Sequence, residues 1–275
     1  MYNPIVIDIS LHWAAVIVYM LATAVNTYGL IFKRDRVEKT SYFIVIAGLL
    51  IHGAALIYRW NLTGHGPYTV KYEVFSSNAW MILFIFLIFS WIFPKIKPTS
   101  IFVFPSSFLL LATGLFFDPE VKKLPPSLKS IWLIPHGIFY NIALGTILIA
   151  VTLSILYIIK KRTSIKWFQR FLDMDTIDIY AYRFAGFGFI FWAIAVLSGS
   201  IWAYESWGRF WGWDPIETWS LITWIFFGVY LHLRRFFGWK GERAAYLYII
   251  CFLISLISLF FIPYIESTIH SSYSK

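Results

Sequence analysis

Residues 202–219 read WAYESWGRFWGWDPIETW and concentrate five tryptophans, Trp202, Trp207, Trp211, Trp213 and Trp219, with Glu205, Arg209, Asp214 and Glu217. Indole rings offer broad apolar faces with one polar N–H each. A flat, aromatic, partly charged surface suits a large planar amphipathic ligand, and haem is the evident candidate. Imidazole is a strong axial ligand for haem iron, and two imidazoles on opposite faces complete a six-coordinate site. The six histidines are therefore the residues to weigh beside the tryptophans.

His136 and His270 fall at the ends of apolar runs on the same side as the tryptophan stretch, so the pair could hold an iron above it. For either one alone, an interfacial hydrogen-bonding role is the alternative. His232 lies in YLHLRR at the opposite end of a predicted helix. Ionisable residues in membrane helices are functional candidates, although Arg234 and Arg235 beside it also fit an interfacial role. His52 could ligate a metal or bond one helix to another. His12 and His65 carry weaker signals, and the glycine-rich loop around His65 suggests no partner for it. Arg209 suits a propionate, because guanidinium–carboxylate bonds are strong and directional. Asp214, followed by Pro215 and then Glu217 three residues on, has the pattern of a helix N-cap with its capping box.

These residues must be positioned by membrane helices. The chain has 275 residues, 59% hydrophobic and only 13% charged, with a mean hydropathy of +0.70. Soluble domains carry about 25% charge. Apolar runs near the ~20 residues needed to span a bilayer recur along the chain, and they are continuous rather than alternating, which argues against a barrel. The expectation is an all-α polytopic membrane protein, one integral-membrane domain over 1–275. Eight helices are expected, at 8–31, 41–60, 78–94, 100–117, 132–159, 182–204, 218–237 and 244–265. The segment KKRTSIKWFQRFLDMDTID is read as a loop with a short interfacial helix that puts Trp167, Phe168 and Phe171 toward lipid.

The net charge of +9 concerns orientation rather than nucleic acid. Sixteen of the 23 basic residues fall in alternate loops, among them Lys33, Arg34, Lys160 to Arg162 and Arg234 to Arg243. The positive-inside rule makes those loops cytoplasmic and puts the tryptophan loop and both termini outside. No cleavable signal peptide is expected, because the first residues lack a basic region and a small-residue cleavage site. Cys251 is the sole cysteine, which excludes an intramolecular disulfide, a CxxC redox pair and a c-type attachment site. No zinc, Walker or dinucleotide motif is present. An ordinary solute porter would not need the aromatic loop, and no internal repeat of the usual sort is evident.

WGRFWGWDPIETWSLITW resembles the tryptophan-rich WWD motif of haem-handling proteins in cytochrome c biogenesis. YLHLR at 230–234, HSSY from His270 and GPYTVKYEVFSSNAW before the third predicted helix narrow the resemblance to the CcsA/ResC family of system II. That resemblance implies that His136 and His270 are external haem ligands and that His232 belongs to a haem site within the membrane. Trp207, Trp211, Trp213 and Asp214 would then present haem b. It implies a CcsB/ResB-like membrane partner, an apocytochrome c whose CxxCH thiols join the haem vinyl groups, and a separate thiol-reducing pathway. The chain would act as part of a cytochrome c synthase in a bacterial cytoplasmic membrane, with a plastid thylakoid as the alternative. The rival readings are a haem exporter or chaperone without attachment activity, of the CcmC-like kind, and a non-catalytic assembly protein of the HemX-like kind. Ile216 stands where many members have a basic residue, and the terminus reads HSSYSK where HSYG is commoner.

Overall fold

The computed structural model describes residues 3–164 and 172–262. Among them are eight helices long and apolar enough to cross a membrane. They are α1 (Pro4–Phe32), α2 (Asp35–Thr63), α3 (Lys71–Ile92), α4 (Ser100–Gly114), α5 (Leu133–Arg162), α6 (Met174–Trp207), α7 (Pro215–Phe236) and α8 (Glu242–Leu256). The α4 span gains a 3₁₀ turn at its start (Pro94–Thr99), and α8 runs on into a π-helical turn (Ile257–Phe261). The eight expected spans are all present, and their described boundaries differ in an informative way. Several helices begin well before the apolar run, α3 by seven residues and α6 by eight. Polar first turns explain this. Asp173 caps α6 by accepting from the Thr176 amide, so MDTID belongs to the helix and not to the preceding loop. In the same way Glu73 closes the start of α3 by accepting from the Thr69 amide at 2.8 Å. The interfacial helix expected around Trp167, Phe168 and Phe171 lies outside the described residues.

The chain forms two compact units, residues 1–124 and 125–275. In the first, α1 turns one face inward through Asp8, His12, Ala15, Tyr19, Ala22, Asn26 and Gly29, spaced three and four apart, with Val16 beside Ala15. Lipid tails are as apolar as leucine, so helices in a bilayer associate through close packing and polar bonds more than through hydrophobicity. Gly48 shows the first of these: a β-carbon there would stand 2.6 Å from the Tyr19 ring. The second is a buried ionic knot. Arg59 donates to Glu73 at 2.9 Å, to Asp8 at 3.2 Å, and to the carbonyls of Pro119 and Glu120 at 2.8 Å each. All three charged side chains are essentially inaccessible.

In the second unit α5 packs against α6, and α7 and α8 complete the group. Helices α6 and α7 are antiparallel. Asp178 at the start of α6 meets Arg234 at the end of α7, while Phe189 stacks on Trp224 at 4.7 Å, and Trp192 donates to Ser220 at 3.1 Å. The Asp178–Arg234 pair is bidentate, at 2.6 and 2.8 Å, and Asp178 also accepts from the Gly241 amide at 2.9 Å. That one carboxylate thereby fixes the end of α7 and the turn into α8. Gly241 has φ 63°, and a β-carbon there would meet the Tyr157 hydroxyl at 2.6 Å, so both conformation and space call for glycine.

Candidate functional site

The tryptophan stretch spans the last turn of α6, a seven-residue connection and the first turn of α7. Gly208 ends α6 in the left-handed conformation at φ 74°, a usual way to stop a helix. At the other side Asp214 is the N-cap of α7. Its carboxylate accepts from the Ile216 amide at 3.0 Å, and Pro215 occupies the first helical position. Glu217 reaches back to the amides of Gly212 at 2.7 Å and Asp214 at 3.3 Å. The two acids expected to cap the helix do so, and Glu217 also ties the loop down. Between these anchors Trp213 has φ 56° and is 70% exposed. A bulky residue held in the left-handed region costs about 1–3 kcal/mol, so the caps on either side must hold it there.

The five indoles do not form one flat sheet. Trp202 is buried and its ring lies 5.1 Å from that of Trp207, tilted by 59°. Trp211 and Trp213 meet edge to face, 6.1 Å apart at 86°. Trp219 sits on α7, half-buried, without a ring contact among the described residues. Phe210 stacks on Tyr204 at 4.4 Å and 8°, which adds a flat aromatic plate that the tryptophan pattern did not single out. The Arg209 guanidinium lies over Gly212, where any β-carbon would collide with it. Arg209 is exposed and has no carboxylate partner among the described residues.

His136 joins this region directly. Its ring lies 5.8 Å from Trp202 and 6.2 Å from Tyr140. Nδ1 donates to the Ala195 carbonyl of α6 at 2.8 Å. In the neutral ring that bond puts the proton on Nδ1 and the lone pair on Nε2, the arrangement used by metal-ligating histidines. Gly199 makes the approach possible, since a β-carbon there would stand 2.7 Å from Nδ1. Ser127 braces the same end by accepting from the Trp202 indole at 2.7 Å and the Ser206 hydroxyl at 2.8 Å. Ser130 bonds Glu205 at 2.5 Å. Ala195, Gly199 and Ser127 were not anticipated from sequence. The first two belong to a small-residue spacing on α6 that marks close helix contact; Ser127 carries no local signal. His270 lies outside the described residues.

His232 lines a cavity of about 490 Å³ between α6 and α7, with Tyr182, Arg183, Gly186, Gly228 and Arg235 among its walls. Phe236 and Phe237 flank the imidazole at 4.7 and 5.8 Å. The other histidines are engaged in the first unit. His52 is buried with Nδ1 at 3.1 Å from the Tyr19 hydroxyl and Nε2 at 2.8 Å from Ser76, which is the interhelical hydrogen-bonding role. His12 contacts Asp8 and Tyr72. His65 is buried and bonded to the Gly66 and Lys122 carbonyls, each at 2.8 Å. The Lys122 carbonyl comes from a loop 57 residues away in sequence, so the isolation expected for His65 does not hold. No group of three or more histidine, cysteine or acidic side chains among the described residues could hold a metal ion by itself.

Residues 14–270 match the protein family described as Cytochrome C assembly protein. The chain is similar to the cytochrome c biogenesis protein CcsA of Chlamydomonas reinhardtii, with 35% identity over 225 residues, covering 78% of this chain and 63% of that protein. It therefore spans less than two thirds of that relative's length. It is also similar to the protein of the same name from Guillardia theta, 32% identical over 270 residues with 88% and 89% of the two chains covered. A third, from Prochlorococcus marinus strain MIT 9301, is 28% identical with 98% and 96% covered.

Proposed function

We propose that this chain, which belongs to the cytochrome C assembly protein family, is the haem-handling and haem-presenting membrane subunit of a cytochrome c synthase. Haem b is its substrate. The observation that carries this reading is His136, whose Nδ1 is held by the Ala195 carbonyl beside the Trp202–Trp207 pair. The protein thus fixes the tautomer and the ring orientation of an imidazole next to a capped and anchored aromatic loop.

Each residue has a role in that scheme. His136, joined by His270, ligates the iron. Trp207, Trp211 and Trp213, with the Tyr204–Phe210 plate, bear against the porphyrin, while Asp214 and Glu217 keep the loop from folding back into α7. Trp202 packs beside His136, and Trp219 on α7 adds a further apolar surface for the ligand. The His232 cavity receives haem on its way to this site. Attachment adds each CxxCH thiol across one vinyl group: sulfur bonds to one carbon, the thiol hydrogen is delivered to the other, and nothing is oxidised. Proximity and orientation supply the acceleration. Both thiols come from the apocytochrome, consistent with a lone Cys251 that is buried in α8. A CcsB/ResB-like partner completes the complex in a bacterial cytoplasmic membrane with the tryptophan loop facing outward, and a separate thiol-reducing pathway keeps the substrate cysteines reduced.

The test is co-expression with a CcsB-like partner and an apocytochrome c, reading haem-stained cytochrome c and the absorption spectrum of the purified complex. The expected complex carries b-type haem with a bis-imidazole spectrum, and His136→Ala abolishes covalent product. Normal bound haem without any covalent product would favour the exporter reading. Intact haem content and maturation in the His136→Ala, His270→Ala double variant would sink the site assignment.

A further inference from the structure

The sequence runs Arg234 and Arg235 together as one basic pair, and the structure separates them. Arg234 is committed to Asp178 by two bonds. Arg235 is exposed, lines the His232 cavity and has no ion-pair partner among the described residues. Across the cavity stands Arg183 of α6, also exposed and also without a carboxylate partner among the described residues. Its guanidinium lies 5.5 Å from the Tyr180 ring, three residues nearer the start of α6. Because α6 and α7 are antiparallel, that direction leads toward the end of α7 that carries Arg235. Both guanidinium groups therefore serve one end of the cavity.

The remaining walls are apolar or bare. Phe189, Ile190, Leu231 and Phe236 supply apolar surface, Gly186 presents backbone where a side chain would take up space, and Gly228 faces the Phe189 ring, 3.2 Å from where a β-carbon would stand. A β-carbon at Gly186 would meet nothing within 4 Å. Glycine inside a helix costs about 0.5–1 kcal/mol relative to alanine, and here no packing constraint explains it. The cavity thus combines apolar walls with one imidazole and two guanidinium groups that have no ion-pair partner among the described residues, and all three polar groups lie toward the same end. That combination fits a flat apolar ligand with a metal in its middle and carboxylates along one edge.

The geometry points to Arg183 and Arg235 as a carboxylate clamp. They hold the two propionates of haem while His232 faces the iron, and so set which edge of the porphyrin enters first. This rests on the haem reading above and adds the orientation. Arginine is suited to the task because its planar fork bonds carboxylates bidentately and stays charged at all working pH values.

The experiment titrates the full chain carrying His136→Ala and His270→Ala, which removes the outer site, in detergent with ferric protoporphyrin IX and, separately, with its dimethyl ester, following the Soret band. The variants are Arg183→Gln with Arg235→Gln, His232→Gly with and without added imidazole, and Gly186→Leu. The free acid is expected to bind at least tenfold more tightly than the ester. The double glutamine variant should lose that preference while keeping the imidazole-dependent His232 spectrum. Equal affinity for acid and ester, with the His232 and Gly186 variants still impaired, would overturn the clamp and leave the cavity as a haem site. Indifference of binding and spectrum to all the variants would overturn the clamp together with the haem reading of this cavity.

Discussion

The Nδ1 of His136 and the carbonyl oxygen of Ala195 lie 2.8 Å apart, across the interface of α5 and α6. One backbone acceptor therefore decides the tautomer and the ring plane of His136, which packs against Trp202. Were His136 to ligate iron as proposed, that fixed orientation would remove an ordering cost from binding, and the site would depend on helix packing as much as on the imidazole.

Gly199→Ala tests that dependence without changing His136. The new methyl would fall 2.7 Å from His136 Nδ1, so the ring must move or the helices must part, at about 1–3 kcal/mol. The expected outcome is cytochrome c maturation reduced nearly as far as in His136→Ala, with the protein still recovered from the membrane. Quantitative haem stain against protein level checks it.

Trp213 should separate stability from function. Its left-handed backbone is costly for tryptophan and free for glycine. Trp213→Gly is expected to leave thermal stability in detergent unchanged or raised by about 1 kcal/mol, while haem presentation falls. A variant that loses stability and activity together would show the indole to be a packing residue.

Removing the α7 cap should act through the loop. Asp214→Ala forfeits the bond to the Ile216 amide, worth about 1 kcal/mol. Asp214→Ser, which can still cap, should retain most of the maturation that alanine loses. Equal loss in both would mean that the carboxylate does something beyond capping.

Arg59 is the most sensitive position expected in the first unit. Its guanidinium serves Asp8, Glu73 and two carbonyls at once. Arg59→Met strands two buried carboxylates, and losing one partner of a buried charge pair costs about 3–5 kcal/mol. Sharply reduced yield and melting temperature are the expected result. Arg59→Lys rescues little, since a single ammonium group cannot reproduce the planar fork.

Cys251 is expected to be dispensable. It is buried, and its thiol faces the Phe226 carbonyl at 3.5 Å. Maleimide should label it only after denaturation, and Cys251→Ala should leave cytochrome c maturation within about twofold of the unmodified protein, as expected for a structural rather than reactive thiol.

Composition and periodicity were enough to determine the membrane class, the number of spans and the cap of α7, because apolar run length and local capping chemistry are properties of neighbouring residues. The family was legible for a similar reason: WGRFWGWDPIETW and YLHLR are contiguous. Helix ends were misjudged at α3 and α6, where hydropathy is silent about polar turns that continue a helix past its apolar run. Only the folded chain could show that His136 is steered by Ala195 and admitted by Gly199, residues some 60 positions away that carry no chemical label. The same holds for the split between Arg234 and Arg235. Adjacent in sequence and identical in type, they differ because successive residues on a helix are turned about 100° apart. One of them meets Asp178 and the other lines the His232 cavity.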